Sequence, residues 1–492
     1  MARVLLTAAP WTYREIRFAD GQEPLKQFLG THLFRRESTV NGKMPFWSLL
    51  YLASWIRREG HDVTYVESYG TPLDVWFREI EVYDPDVIGL NTVTCTWAKT
   101  REILTTLKAR WPDKLYVLGG AHTNVAKAGV MDECPELDAA VFGEGEETLT
   151  ELISVFEGGS RDFSGVKGCA WRAADGTVVK EPKRPLIHDV DRLPFPARDL
   201  MRQPEQYNPR LNIYNRSNNT VLFTGRGCPL TCASCHLPAI GSMQFRIRSP
   251  EHVFAEMVEC EDVHGVTDFG FYDHFGIFSS DEEKAMKLCE LILASGRKWT
   301  WTVTFWSFDF SDDLLDLMKR AGCWRIDTVL ISGVDKNLRA ATMGSPLTVE
   351  ATRAGVMRIH DKGIEVAARF SCGIEGETPD EFRQTIDFAC DLPLEWAFFT
   401  PVNPVYGSRL WRRLDKADRF VQDDRSMNIF NVFYDPEAME RDTLKGLQKE
   451  AYKRFYGRPG FMAKKARFLK DPQAMKRNLT LAGQLGKHMA GF

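Results

Sequence analysis

Gly225-Arg226-Gly227-Cys228-Pro229-Leu230-Thr231-Cys232-Ala233-Ser234-Cys235-His236 is the stretch on which the reading of the chain turns. Its cysteines are spaced C-x3-C-x2-C and follow a strand-like run, Thr220-Val221-Leu222-Phe223-Thr224, in a loop punctuated by Gly and Pro. Soft thiolates gathered in one short loop are what an iron–sulfur cluster takes as ligands. A four-iron cubane held by three cysteines keeps one iron open to a small molecule. Two other chemistries fit the same residues. Zinc would take the three thiolates with His236 as a fourth ligand, although paired C-x2-C knuckles are the usual zinc pattern. Buried cysteines that hold nothing are the other.

Downstream of the loop, helical and strand patterns alternate. Helices are predicted at 249–260, 281–295, 311–321, 349–361 and 379–390. Strands come after them at 267–273, 299–305, 328–333, 366–373 and 396–400, which with the run before the cysteines makes six strand–helix repeats. Period-2 alternation divides the third strand into Trp299, Trp301, Val303 and Phe305 on one face and Thr300, Thr302, Thr304 and Trp306 on the other. The aromatic face either packs against outer helices or walls a bulky substrate.

Upstream, strand patterns at 2–7, 62–67, 86–92, 114–119 and 139–142 alternate with helical ones at 46–59 and 98–110. That alternation predicts a doubly wound parallel sheet, with ligands at the carboxyl ends of its strands. Three loops fall there: Asn91-Thr92-Val93-Thr94, Gly119-Gly120-Ala121-His122 and Gly143-Glu144-Gly145-Glu146. Between strand 1 and Pro45 lies a long irregular stretch with Trp11, Tyr13, Phe18, Phe28 and Phe34, of the kind that forms a lid. Residues 160–205 read as a connector with a small hairpin at Asp175-Gly176 and a proline-stiffened strap, Arg192-Leu193-Pro194-Phe195-Pro196-Ala197.

The cysteine spacing and the six repeats resemble the radical S-adenosylmethionine (SAM) superfamily, and the order of the upstream loops is similar to the cobalamin-binding domain that precedes such cores in one subfamily. That subfamily includes the anaerobic cyclase of bacteriochlorophyll synthesis and many carbon methyltransferases. The resemblance implies a Rossmann-like cobalamin-binding domain over 1–160, a linker with a hairpin over 161–215, a partial (β/α)6 core over 216–415 and a helical extension over 416–492. It implies a [4Fe-4S] cluster on Cys228, Cys232 and Cys235, SAM on the open iron, and cobalamin against Thr92, Thr94, Gly119, Gly120, His122, Gly143, Glu144 and Gly145.

Several motifs resemble the family's SAM-contacting segments. Asp273-His274-Phe275 stands where the family approaches the SAM amino group. Gly333-Val334-Asp335-Lys336, with Met343-Gly344 after it, resembles a G-x-E-S segment with Asp335 as the ribose carboxylate. Arg369 precedes a turn, Gly373-Ile374-Glu375-Gly376-Glu377-Thr378, that is similar to G-x-P-G-E-T, and would pair with the SAM carboxylate. Thr378 with Asp380 and Glu381 also reads simply as a helix cap. The chain departs from the pattern in lacking D-x-H-x-x-G, the motif that supplies cobalt with a lower histidine, and in carrying Ser234 where an aromatic usually precedes the third cysteine. Either a neighbour such as His236 or Phe275 then covers the adenine, or the chain holds SAM differently from most of the family. His274, Tyr272 and His264 are the candidates for proton handling.

Composition narrows the rest. The 492 residues allow about two to four domains. With 63 Lys and Arg against 67 Asp and Glu, the net charge of −4 gives no reason to expect nucleic acid, and no apolar run approaches a membrane span. Eleven cysteines are an odd number without a disulfide framework, which points to a reducing cytoplasm. The basic tail, with Lys453, Arg454, Arg458, Lys464, Lys465 and Arg467, reads as a helical cap or interface helix with a solvated face. The expected activity is radical methylation of a small molecule, with an external electron donor of flavodoxin or ferredoxin type. Non-methylating radical chemistry (cyclisation, ring contraction, diol dehydration) on the same scaffold is the alternative, and an iron–sulfur redox protein without catalysis a third.

Overall fold

The computed structural model describes residues 1–10, 45–68, 71–201, 218–238, 240, 243–306, 308–342, 347–420, 432 and 434–461. The expected lid at 11–44, Met343-Gly344, and Lys464, Lys465 and Arg467 lie outside them.

The first sheet has five parallel strands, β1 (Arg3–Ala8), β2 (Asp62–Tyr65), β3 (Val87–Asn91), β4 (Leu115–Gly119) and β5 (Ala139–Val141), in the order β2-β1-β3-β4-β5. Runs such as Val87-Ile88 and Leu115-Tyr116-Val117-Leu118 are buried along their whole length. Two separate apolar cores flank the sheet, one on each face, which is why its strands read as continuous apolar runs rather than alternating ones. The chain reverses its direction of travel across the sheet between β1 and β3, so the switch point opens at their carboxyl ends. The connector's hairpin, β6 (Cys169–Arg172) and β7 (Val178–Lys180), adds antiparallel to β5 and extends this sheet to seven strands. The strap then ties the first domain to the second: Ala197 N–H donates to Leu50 O (3.1 Å) on the helix Trp47–Arg58, and Ser249 N–H donates to Asp191 Oδ1 (3.0 Å).

Beyond the strap, β8 (Asn219–Leu222) leads into the cysteine loop, where β9 (Gly225–Arg226) pairs antiparallel with β10 (Arg246–Ile247). Five further strands, β11 (Asp268–Phe271), β12 (Thr300–Phe305), β13 (Cys323–Ile331), β14 (Glu365–Cys372) and β15 (Trp396–Pro401), join β8 in one all-parallel sheet ordered β8-β11-β12-β13-β14-β15. These are the six expected repeats. Trp299, Trp301, Val303 and Phe305 belong to the core between strands and outer helices, where the Trp301 ring meets Phe278 at 5.0 Å and its Nε1–H donates to Ala321 O (2.9 Å). The aromatic face is therefore packing, not a substrate wall. Helix caps fall where the sequence puts them: Ser249, Asp281, Ser311 and Thr348 each accept from the first turn, and Thr378 with Glu381 forms a capping box. The tail helix Arg441–Tyr456 lies along the edge strand β15 and the helix Pro379–Asp391.

Candidate active site

A cavity of about 530 Å³ lies between the switch point of the first sheet and the mouth of the second. Gly119, Gly120, Gly143, Glu144 and Gly145 line it from below, with Leu90, Val117 and Val141 of the strand ends. Gly225, Arg226, Gly227, His236, Leu237 and His274 line it from above. The two halves of the chain thus share one space. Gly143 has φ +91° and open space where a Cβ would stand, so bare backbone borders the cavity.

The other expected first-domain residues stand behind this lining. Thr92 is buried, its Oγ1 3.0 Å from Thr100 Oγ1. Thr94 Oγ1 is 3.2 Å from His122 Nδ1. The His122 ring is stacked between Trp97 (5.1 Å) and Tyr406 (5.2 Å), which bridges the two halves of the chain. Burial lowers its pKa to about 4, so it is a neutral stacking group. Among the described first-domain residues that line the cavity there is no histidine.

Glu144 is engaged by two arginines. Arg246 donates to it from Nη1 (3.1 Å) and Nη2 (2.8 Å), Arg226 from Nη1 (3.3 Å), and Ile187 N–H adds a fourth bond (2.8 Å). Arg226 Nη2 also reaches Glu146 at 2.5 Å. Burial pushes the Glu144 carboxyl up, but the Arg246 hydrogen bond and the two guanidinium charges outweigh it and hold the pKa below its usual value. This lock joins the floor of the cavity to a residue two positions before Cys228. Sequence reasoning missed Arg246, and passed over Arg226 although it stands in the Gly-Arg-Gly run.

The cysteine loop is fastened at both ends. Asp273, at the end of β11, accepts from Thr224 N (2.6 Å), Thr224 Oγ1 (2.6 Å) and Gly225 N (3.0 Å). Burial nonetheless pushes its carboxyl up to about 6. Gly276 is obligatory beside it, because a Cβ there would lie 2.1 Å from Asp273 Oδ2. At the far end, Ala233 N–H donates to Ala341 O (3.1 Å), while Val405 N–H reaches Ser234 O (3.2 Å) and Leu410 N–H reaches Ala233 O (2.9 Å). Phe275 meets Phe245 edge-on at 5.3 Å.

Burial, then the neighbouring Cys235 and Cys228, push the Cys232 thiol up to about 11. Three thiols close enough to oppose one another's ionisation are a donor set that a cationic cluster would deprotonate. Among the described residues no three His, Cys, Asp or Glu converge as ligands of one metal ion; thiolates on separate irons of a cubane do not need to. The donor set fits a cluster, and the apolar, glycine-edged floor fits a flat macrocycle.

Tyr272 shares the inner side of the strands with Arg325, Asp327 and Arg369, and burial raises its pKa to about 12. Arg325 donates to Asp327 Oδ2 (3.0 Å), whereas Arg369 is exposed there. His236 and His274 are close enough that His274, after burial, lowers the pKa of His236. Asp335 is exposed and accepts from Val349 N (2.8 Å), a loop bond. His264 ends the helix Pro250–His264 beside Asn218, at the amino end of β8. All strands of that sheet are parallel, so it lies at the opposite end from the cavity.

The B12 binding domain family matches residues 38–153, and the radical SAM superfamily matches 222–389. The chain thus carries a B12 binding domain ahead of a radical SAM domain, the pairing found in cobalamin-dependent radical SAM enzymes. An uncharacterised methyltransferase of Pyrococcus horikoshii is 28% identical over 85% of this chain and 89% of its own length. The anaerobic magnesium-protoporphyrin IX monomethyl ester cyclase of Rubrivivax gelatinosus is 29% identical over 88% and 77%. In fold, the chain is similar to the cobalamin-dependent SAM radical enzyme OxsB (TM-score 0.70, 14% identity, 99% of this chain and 72% of that one) and to the methyltransferase TsrM of Kitasatospora setae (0.62, 18%, 85% and 78%). This radical SAM enzyme uses a [4Fe-4S] cluster, SAM and cobalamin, and no helix among its described residues is long and apolar enough to cross a membrane.

Proposed function

We propose that the enzyme methylates an unactivated carbon of a small molecule, with residues 1–160 holding cobalamin and 216–415 holding the cluster and SAM. When bound, these groups supply one-electron cleavage of SAM, hydrogen abstraction from the substrate and a transferable methyl group. The observation that carries the reading is the single cavity bordered by the glycine loops of the first sheet and by the cysteine loop. Two cofactors must face one substrate for a methyl group to pass, and a shared cavity meets that need.

In this reading Cys228, Cys232 and Cys235 ligate the cluster, and Gly119, Gly120, Gly143 and Gly145 form the cobalamin floor. Asp273 and Glu144 are positioning residues. The first holds Thr224 and Gly225 at the root of the cysteine loop, and the second holds Arg226. Arg369 remains the cation available to the SAM carboxylate, and His274 and Tyr272 the groups available for proton transfer. His264, Asp335 and His122 have no direct part. A one-electron carrier of flavodoxin or ferredoxin type supplies the reductant, and a reducing cytoplasm suits the thiolate site.

The test is product analysis of the anaerobically reconstituted enzyme with methyl-labelled SAM and candidate substrates. Methylation requires S-adenosylhomocysteine together with 5′-deoxyadenosine, and labelled product. Formation of 5′-deoxyadenosine with no S-adenosylhomocysteine would select the non-methylating reading, which the 29% identity to the cyclase favours.

A further inference from the structure

The helix Arg409–Lys416 reads Arg-Leu-Trp-Arg-Arg-Leu-Asp-Lys. Leu410 and Leu414 are buried, while Arg409, Arg412, Arg413 and Lys416 are all exposed. Those four cations stand at i, i+3, i+4 and i+7, one stripe of a single helix face. Arg413 and Lys416 fall in the last turn, where cations suit the helix dipole, but Arg409 and Arg412 do not, and like charges at this spacing repel. Arg413 pairs with Glu375, and Asp415 is the helix's own acid. Among the described residues Arg412 and Lys416 make no ion pair, nor does Arg339 of the neighbouring helix Asp335–Thr342. The chain as a whole carries −4, so this face runs against the average.

Its place in the fold gives the stripe a use. Leu410 N–H bonds Ala233 O (2.9 Å) and Ala233 N–H bonds Ala341 O (3.1 Å), so both cation-bearing helices are hydrogen-bonded to the backbone between Cys232 and Cys235. Pro229 and Thr231 of the same loop are exposed, whereas Gly227, His236 and Leu237 face the cavity. An electron arriving on the outer side of the loop would not have to cross the substrate space.

We infer that Arg409, Arg412, Arg413 and Lys416, with Arg339, form the docking surface for an acidic one-electron carrier protein. The inference rests on the cysteine loop holding the cluster. In the step it serves, the carrier loses one electron and the cluster gains it; no bond forms or breaks and no proton moves. Charge complementarity would steer the encounter and make it salt-dependent.

The test compares the wild-type holoenzyme with R412E/K416E and the milder R412Q/K416Q. Binding of reduced flavodoxin is measured by thermophoresis at low and high salt, and 5′-deoxyadenosine formation with flavodoxin or with dithionite. Charge reversal is expected to raise the flavodoxin Kd by about tenfold or more and slow the flavodoxin-driven rate to match, with the Gln pair intermediate and the dithionite-driven rate unchanged. Equal flavodoxin binding in all three proteins overturns the proposal. So does equal slowing with both reductants, because the helix would then act through the cysteine loop itself. A wild-type protein that yields no 5′-deoxyadenosine with dithionite overturns the functional reading, and the proposal with it.

Discussion

The six-stranded sheet is open between β8 and β15, and each edge strand has outward backbone groups to satisfy. On β8 the partners are charged. Arg198 Nη2 donates to Val221 O (3.2 Å) and Arg248 Nη1 to Phe223 O (2.8 Å), and Glu256 accepts from both arginines at 2.5 Å. On β15 they are neutral. Ala397 N–H donates to Tyr456 Oη (3.3 Å) and Phe399 N–H to Tyr452 Oη (3.2 Å), while Ala397 O accepts from Tyr456 (2.9 Å) and Phe399 O from Gln448 Nε2 (2.8 Å). Gln448, Tyr452 and Tyr456 come from one stripe of the tail helix, four residues apart.

The charged closure borders the cavity, which Arg248 helps to line, and draws the strap, β8 and the helix Pro250–His264 onto one buried carboxylate. The neutral closure holds only the tail helix. Burying three charges costs desolvation that the attraction barely offsets, so such a group is a poor source of stability and a strict source of geometry. Neutral side chains on an edge need only find donors and acceptors. The chain thus uses its costly closure where position matters and its tolerant one where cover suffices.

Glu256→Ala would leave two buried guanidinium groups unpaired, and is expected to cost about 3–5 kcal/mol in urea unfolding. An apolar replacement of all three residues should recover most of that loss yet speed hydrogen exchange across 219–224; unchanged exchange there would break the comparison.

Glu377 sharpens it, as a buried carboxylate with neutral donors only: Gly373 N (2.8 Å), Ile374 N (3.3 Å) and Asn337 Nδ2 (3.2 Å). Burial pushes its pKa up to about 8, whereas at Glu256 the two arginines outweigh burial and hold the pKa low. The signs are opposite. The folded state retains the Glu377 proton, so its contribution is full below the ordinary pKa of 4.5 and is lost as pH rises to about 8. Glu256 contributes above its ordinary pKa of 4.5 and loses its contribution as pH falls. Glu377→Gln should therefore match wild type near pH 5 and exceed it by roughly 1–3 kcal/mol at pH 9, because the neutral amide escapes the ionisation penalty. The amide also offers a donor to Asn337 Oδ1, which has no partner. Thermal unfolding across that range checks it.

On the neutral edge, Tyr452→Phe is expected to cost about 1 kcal/mol, with protease sensitivity confined to the tail helix. The smallest effect belongs to Glu144→Gln, a half-buried lock bordering the cavity. It should lower stability by less than about 1 kcal/mol while accelerating exchange of the Arg226 and Gly227 amides. A stability loss without that local signature would remove Glu144 from the positioning role.

Much of the fold was legible because its signals are local. Strand runs, the alternation of β12, the Thr378 cap and the Asp175-Gly176 turn each need only a few adjacent residues. Helices at Leu73–Tyr83, Asp335–Thr342 and Arg409–Lys416 went unread, and β13 begins at Cys323 rather than 328. Its early part carries Arg325 and Asp327, which pair with each other on the inner side, so the strand looks polar until that bond is known. The site was legible in part for the same reason. Glu144 and Arg226 are 82 residues apart, Glu144 and Arg246 are 102, and Arg198 and Glu256 are 58, and no periodicity announces such pairs.

Sequence alone determined the order of the two domains and the six-repeat core, and singled out three thiols as a candidate donor set, since thiolate spacing and apolar periodicity are properties of neighbouring residues. Tertiary structure decided which polar residues were left for chemistry. Asp273, Glu144 and Asp335 stand at strand ends where ligands gather, yet their carboxylates are engaged by Thr224, Arg246 and Val349, and His122 there is stacked between Trp97 and Tyr406 with Nδ1 beside Thr94. A polar group's role is set by the partners that burial brings to it, and those arrive from elsewhere in the chain.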